Sequence, residues 1–230
     1  MKSIIFDAGP IISLTTNNLL WILEKLKNKY DGKFYITTNV KKELVDVPLE
    51  TKKFKFEALQ VMQLIRQGVL EIADTPEIDN RINILMDRAN NCFKAHGHWI
   101  KVVHYGEMSV LSVAYLLNSD CVAIDERTTR LFLENPQRLI KILGNTLHTS
   151  IYIEKNNLEE FTSMIRNIKP IRSVELVTIA YELGILNKYL ADIKNPHETL
   201  LDSVLWGVKL NGCAVSKQEI EEILKIESAH

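Results

Sequence analysis

Short apolar runs alternate with amphipathic stretches along the first 145 residues. Residues 3–6 form a β-prone run that ends at Asp7, as expected for a buried strand bounded by turn residues. Further strands are predicted at 34–38, 69–72, 121–124, 140–143 and 150–153. Helical spacing predicts helices at 19–26, 40–45, 54–66, 78–95, 107–117 and 127–134. This alternation is typical of an α/β fold, in which helices cover both faces of a parallel sheet.

The pattern changes after about residue 157 and becomes mostly helical. Helices are predicted at 157–168, 173–183, 197–210 and 216–225, separated by Pro and Gly. Because no flexible linker precedes them, we expect a sheet domain at 1–150 and a C-terminal helical extension at 151–230 that packs on it.

Composition narrows the class of protein. The chain has 230 residues, 46% hydrophobic and 25% charged, with a net charge of −1, which is typical of a soluble globular protein. No stretch approaches the ~18 apolar residues of a membrane span, and Asp7 interrupts what would be the apolar part of a signal peptide. We therefore expect a cytoplasmic protein without a membrane segment. The three cysteines are too few and too widely spaced for a disulfide framework or a zinc site.

Four acidic residues occupy equivalent places on this predicted scaffold. Asp7 and Asp125 directly follow strands, and Glu43 and Glu107 fall in the first turns of helices. The carboxyl ends of parallel strands and the helix starts that follow them share one edge of a sheet. We therefore expect the four carboxylates to converge there.

Convergence of carboxylates points to a metal ion, because neighbouring acids repel and raise one another's pKa. Clustered carboxylates without His or Cys favour Mg²⁺ or Mn²⁺ over zinc, and such ions support phosphodiester hydrolysis. Each acid alone also fits an ordinary role, as a turn or cap residue or as a partner of a helix dipole.

Four short motifs carry a resemblance to PIN-domain nucleases over roughly residues 1–135. The segment at 4–14 (IIFDAGPIISL) resembles their opening strand and turn, and 39–44 (NVKKEL) resembles their second motif. The segment at 106–114 (GEMSVLSVA) resembles the third motif in its Gly-Glu form. The segment at 123–130 (AIDERTTR) resembles the fourth in the Asp-Glu-Arg form of one prokaryotic branch.

The resemblance implies a three-layer α/β/α PIN-like sandwich and Mg²⁺- or Mn²⁺-dependent endoribonuclease activity. It assigns catalysis and metal binding to Asp7, Glu43, Glu107 and Asp125. It also implies RNA as substrate, often a homodimer, and for many members a toxin role with an antitoxin partner. Because all four acids precede residue 126, we expect the extension to supply no part of the site.

Other interpretations stay open. A non-catalytic PIN-like module that binds RNA or protein is the main alternative. Asn39 fits a helix N-cap beside Glu43. Ser13 is a weaker site candidate. Trp99 and Tyr105 suit either base stacking or packing.

Overall fold

A five-stranded parallel sheet forms the centre of the computed structural model, which describes residues 2–73, 75–119 and 121–228. The strands are β1 (Ser3–Phe6), β2 (Lys33–Thr37), β3 (Glu71–Ala73), β4 (Phe93–Ala95), β5 (His98–Trp99), β6 (Cys121–Ala123), β7 (Tyr152–Ile153) and β8 (Lys169–Ile171). The central sheet has the order β3-β2-β1-β6-β8, and a small antiparallel sheet has the order β5-β4-β7.

Helices flank the central sheet. They are α1 (Ala8–Thr16), α2 (Ile22–Tyr30), α3 (Thr38–Lys41), α4 (Val47–Glu50), α5 (Lys55–Arg66), α6 (Ile78–Asn90), α7 (Tyr105–Leu116), α8 (Arg127–Glu134), α9 (Pro136–Leu147), α10 (Lys155–Ile165), α11 (Ser173–Glu182), α12 (Pro196–Leu210) and α13 (Lys217–Glu227). A π-helical turn, Lys42–Asp46, joins α3 to α4. Helix α7 packs on β1, β2 and β6 and contacts α6 and α10, whereas α1 packs with α5, α11 and α12. The α/β fold class predicted from the sequence is confirmed.

Three local predictions are wrong. The helix predicted at 78–95 ends at Asn90, and Phe93–Ala95 form β4, which pairs with β5 and β7. Residues 140–143 lie inside α9 rather than in a strand. That helix starts with Pro136, and the Asn135 side chain caps it by accepting the N–H of Arg138. Helix α1 was missed because Gly9 and Pro10 indicated a turn, yet Pro is well tolerated in the first turn of a helix.

The segment after residue 157 is not purely helical. Strand β8 pairs in parallel with β6, with Lys169 opposite Cys121 and Ile171 opposite Ala123. It lies at the edge of the sheet, where a residue such as Pro170 is tolerated because one side of the strand needs no ladder hydrogen bonds. The domain boundary at residue 150 stays a prediction, but the sheet takes its fifth strand from beyond that boundary.

Three stacked phenylalanines join the small sheet to the helices. The ring of Phe132 on α8 lies 5.3 Å from that of Phe93 on β4 and 4.7 Å from that of Phe161 on α10. All three side chains are fully buried.

In the described part of the chain, no helix combines the length and the apolar character needed to cross a membrane.

Replacement of the central ring should therefore destabilise the whole fold. Removing a buried Phe leaves a cavity in addition to the lost transfer free energy, so Phe132→Ala should lower the free energy of unfolding by about 3–5 kcal/mol. Urea denaturation followed by circular dichroism measures this change. The control Phe56→Ala, at a side chain that is 69% exposed, should change it by less than about 0.5 kcal/mol.

Candidate active site

Asp7 lies at the junction of β1 and α1, where it is the N-cap residue of the helix. Its N–H donates to the carbonyl of Ala123 at 2.9 Å, which fixes the end of β1 against the end of β6. The pKa of the Asp7 carboxyl is raised from 3.8 to about 7, mainly by burial and additionally by the charges of Glu107 and Glu43. The backbone N–H groups of Ala8 and Gly9 oppose this shift.

Glu43 and Glu107 reach Asp7 electrostatically from two different helical segments. Glu43 lies in the π-helical turn after β2, and Glu107 lies in the first turn of α7. The pKa of Glu43 is raised by partial burial and then by the charge of Glu107. One oxygen of Glu107 accepts the N–H of His104 at 2.8 Å, which caps α7 and orients the carboxylate.

Two buried hydroxyl groups link the segment that carries Glu43 to the helix that carries Glu107. The Oγ1 of Thr37 and the Oγ of Ser109 lie 2.9 Å apart, so they join the end of β2 to α7. Thr37 also accepts the N–H of Val40 and is therefore the N-cap residue of α3. The N-cap predicted at Asn39 is wrong by two residues. The sequence offered only a run of cap-forming residue types here, and the φ and ψ angles select the first of them.

Asp125 is held differently from the other three acids, because its side chain is almost completely buried among donors. Its Oδ2 accepts the hydroxyls of Ser13 and Ser173, both at 2.8 Å, and its Oδ1 accepts the N–H of Ser173 at 2.7 Å. The thiol of Cys213 also lies against it, and burial raises the pKa of this thiol to about 12, assisted by the Asp125 charge.

Ser173 and Cys213 belong to the C-terminal segment, so that segment contributes to the surroundings of the candidate site. The expectation that it supplies no part of the site stays a prediction, but these two residues contact Asp125. A buried arginine fixes the segment in place. Arg172 donates to Glu175 and Glu219 and to the carbonyl of Ala214, and thereby joins α11 to α13. Ala214 in turn donates its N–H to the Asp125 carbonyl at 3.2 Å.

A comparison with models of known protein families identifies the family to which this chain belongs. A family model described as a PIN domain matches residues 3–167. The chain belongs to the PIN-domain family. No curated protein and no solved structure matches the chain. PIN domains are generally nucleases that bind nucleic acids and usually use divalent metals, so membership supports a hydrolase that acts on nucleic acids.

In this PIN domain the acids do not form a closed metal cage. Within residues 2–73, 75–119 and 121–228, no three His, Cys, Asp or Glu side chains lie close enough to hold a metal ion directly. Asp7, Glu43 and Glu107 interact through their charges, whereas Asp125 faces serine donors. Gly9 lies close to both Asp7 and Asp125: a Cβ at Gly9 would lie 3.3 Å from the Asp125 Cβ and 3.7 Å from an Asp7 oxygen.

A small, mainly apolar cleft of about 70 Å³ opens beside Glu43. Two of the side chains around it, Phe54 and Ile12, are exposed hydrophobics. Other walls come from Thr15, Leu44, Pro48 and Val61.

Ser173 was not identified from the sequence, and its replacement tests how strongly its hydrogen bonds stabilise the buried Asp125 carboxylate. Ser173→Ala removes a donor from a buried carboxylate, so the free energy of unfolding should fall by about 2 kcal/mol. Chemical denaturation measures the change. Ser163→Ala, which removes an exposed hydroxyl bonded only to a helix carbonyl, should change it by less than about 0.5 kcal/mol.

The raised pKa of Asp7 predicts a pH-dependent effect of Asp7→Asn on stability. The folded protein holds the Asp7 proton up to about pH 7, whereas the ordinary pKa is 3.8. Ionisation therefore destabilises the fold progressively as the pH rises between these values. The gain in Tm from Asp7→Asn should be absent below pH 3.8, grow with pH and level off above about pH 7. Thermal unfolding in chelator over this range measures it, and exposed Asp192→Asn should show no such trend.

Proposed function

We propose that this PIN domain is a metal-dependent endoribonuclease that hydrolyses RNA phosphodiester bonds with Mg²⁺ or Mn²⁺. The observation that carries the proposal is the placement of Asp7, Glu43 and Glu107 within electrostatic reach of one another. Three neighbouring carboxylates, two of which raise the pKa of the third and most buried one, are unfavourable without a cation.

The donor set fits Mg²⁺ or Mn²⁺. The facing groups are carboxylates only, and hard divalent ions take oxygen ligands. Mg²⁺ keeps several waters and is usually bound through one or two carboxylates. A wider arrangement than a closed three-ligand cage therefore still suits it. When bound, the ion would activate a water and neutralise the leaving oxygen of the phosphodiester.

Each acid has a proposed part in this site. Asp7, fixed at the end of β1, is the central metal ligand, and Glu107 is a second ligand whose orientation is set by its hydrogen bond to His104. Glu43, the most exposed of the three, faces the open side and holds the ion or a water bound to it. Asp125 is the fourth acid of the proposed site. Because its oxygens already accept three hydrogen bonds, it acts by fixing the ends of α1 and α11 beside Asp7 rather than as an open ligand.

The proposal includes the protein partners that the family resemblance implies. The exposed hydrophobic side chains of Val47, Phe54, Phe56 and Leu59 lie on α4, on α5 and just before α5. The two helices contact each other, and exposed apolar side chains grouped in this way often mark an interaction surface. This grouping supports a homodimer or an antitoxin that covers this face beside Glu43.

A non-catalytic PIN-like binding module is the second candidate. The observation in its favour is that no three ligating side chains in the described ranges lie within direct reach of one metal ion. Titration with Mn²⁺ distinguishes the two. Stabilisation of the folded protein that is lost in Asp7→Asn supports the nuclease, since the ion binds only the folded site.

The nuclease proposal is tested by isosteric neutralisation of the acids. Asp7→Asn and Glu107→Gln should lower the rate of RNA cleavage by at least about 100-fold, because each removes a proposed ligand charge while it keeps the shape. Cleavage of a labelled single-stranded RNA in Mg²⁺ or Mn²⁺, with and without excess chelator, measures this. Glu159→Gln, an exposed acid on α10, should cleave at the normal rate. Cleavage that persists in chelator would contradict the proposal.

A further inference from the structure

The small antiparallel sheet carries a row of two aromatic rings with a lysine between them. Lys94 at the centre of β4 is opposite Trp99 on β5 and opposite Tyr152 on β7. Directly opposed residues of antiparallel strands lie on the same face of a sheet. The Nζ of Lys94 is 3.9 Å from the centre of the Trp99 ring and 5.7 Å from that of Tyr152.

This face is open, whereas the other face is part of the core. Trp99 is 41% exposed and Tyr152 is 58% exposed. Phe93, the neighbour of Lys94 on the same strand, is fully buried against Phe132. Part of each ring therefore faces water on this side of the sheet.

The turn between β4 and β5 fixes the position of Trp99. His96 and Gly97 both have positive φ, at 51° and 81°. This is the pattern of a two-residue hairpin turn that matches the twist of the strands. The N–H of Ile100 then donates to the carbonyl of Phe93 at 2.9 Å, so the register of the hairpin is set on both sides of Trp99. Rigid rings lose little conformational freedom when they bind a ligand.

The charge around this row is positive. Residues 92–106 contain Lys94, Lys101 and three exposed histidines but no Asp or Glu. One acid borders the row: an oxygen of the Glu154 carboxylate lies 3.5 Å from the Tyr152 hydroxyl. Within the ranges that the structure describes, Lys94 takes part in no ion pair. Its ammonium is thus available to a phosphate beside the two rings.

We propose that the face defined by Lys94, Trp99 and Tyr152 binds single-stranded RNA by stacking bases on the two rings. The choice of RNA rests on the proposed function, and the inference adds the surface that captures the substrate. Stacking on aromatic rings combined with a basic lining is how proteins bind single strands without reading their sequence. A duplex keeps its bases stacked inside and cannot use such rings.

The chain connects this face directly to the candidate site. Residues 100–104 lead from Trp99 to the start of α7, which carries Glu107. Five residues span at most about 18 Å. Asn90 ties this linker to α6, since its Oδ1 accepts the N–H groups of Val102 and Val103. The linker thus limits how far the rings can lie from the start of α7.

Equilibrium binding without cleavage tests this inference. The full chain is titrated, in excess chelator, into a labelled single-stranded RNA of about 12 nucleotides, a length within known single-strand site sizes. Fluorescence anisotropy gives Kd, and the part of the tryptophan quenching that is lost in Trp99→Phe reports on Trp99, since Trp21 and Trp206 also emit. We expect Trp99→Ala and Tyr152→Ala each to raise Kd about fivefold or more. Trp99→Phe, which keeps a ring, should restore most of the binding. Lys94→Gln should weaken binding and lower the salt slope by about one.

A matched control exists on α7. Tyr115 is 48% exposed and is also stacked by a cation, with the Arg81 guanidinium carbon 3.6 Å from its ring centre. It lies outside the small sheet, so Tyr115→Ala should leave Kd unchanged. Circular dichroism and Tm of every variant confirm that the fold is intact.

The possible outcomes separate this inference from the proposed function. If Trp99→Ala/Tyr152→Ala binds RNA with an unaltered Kd, the inference is overturned, even if the chain cleaves RNA. A change of mass state in that variant with unaltered RNA binding would mark the face as a protein interface and would also overturn it. If binding depends on the rings but no divalent ion supports cleavage, the surface stands and the nuclease proposal fails.

Discussion

The buried carboxylate of Asp125 is the interaction on which the arrangement of the candidate site depends. It accepts hydrogen bonds from Ser13 on α1 and Ser173 at the start of α11. A buried charge without such donors would cost several kcal/mol, so these contacts are required for the fold. They bring together the first helix, the end of β6 and the C-terminal helices at one point. Asp7 lies next to this point, one strand away.

The other three acids show the opposite electrostatics. Burial, together with the charges of Glu107 and Glu43, raises the pKa of Asp7 to about 7. Two kinds of acid thus lie near each other at the same edge of the sheet. Asp125 is hydrogen bonded and holds parts of the fold together, whereas Asp7, Glu43 and Glu107 repel one another through their charges. In PIN domains, which generally act on nucleic acids with divalent metals, the mutually repelling group is the one suited to a cation.

Much of this could be predicted from the sequence, for physical reasons that differ between elements. The apolar run before Asp7 and the apolar spacing of α7 and α8 are local signals, and the corresponding strand and helices were predicted within two residues. Strand β8 could not be predicted in this way, since three residues that include Pro170 carry no strand periodicity. It is a strand only because β6 offers a free edge.

The same distinction applies to the site. The four acids stand in recognisable motifs, whereas Ser173 has no signal in the sequence because its partner is 48 residues away. The different state of Asp125 was equally invisible, since it depends on donors from Ser13 and Ser173 that meet only in the folded chain. Likewise, Lys94, Trp99 and Tyr152 form one row only through strand register, and Tyr152 is far from the other two along the chain.

The contact between Asp125 and Ser173 has a consequence for how the protein is made. A nascent chain that has just exposed Asp125 on the ribosome still lacks the donors of residue 173 and the covering residues near Cys213. At about 5–20 residues per second, those segments follow several seconds later. Until then the carboxylate has only the hydroxyl of Ser13 as a donor and lacks the two hydrogen bonds from Ser173. The edge of the sheet that carries the acids therefore matures only after the segment around Cys213 has emerged.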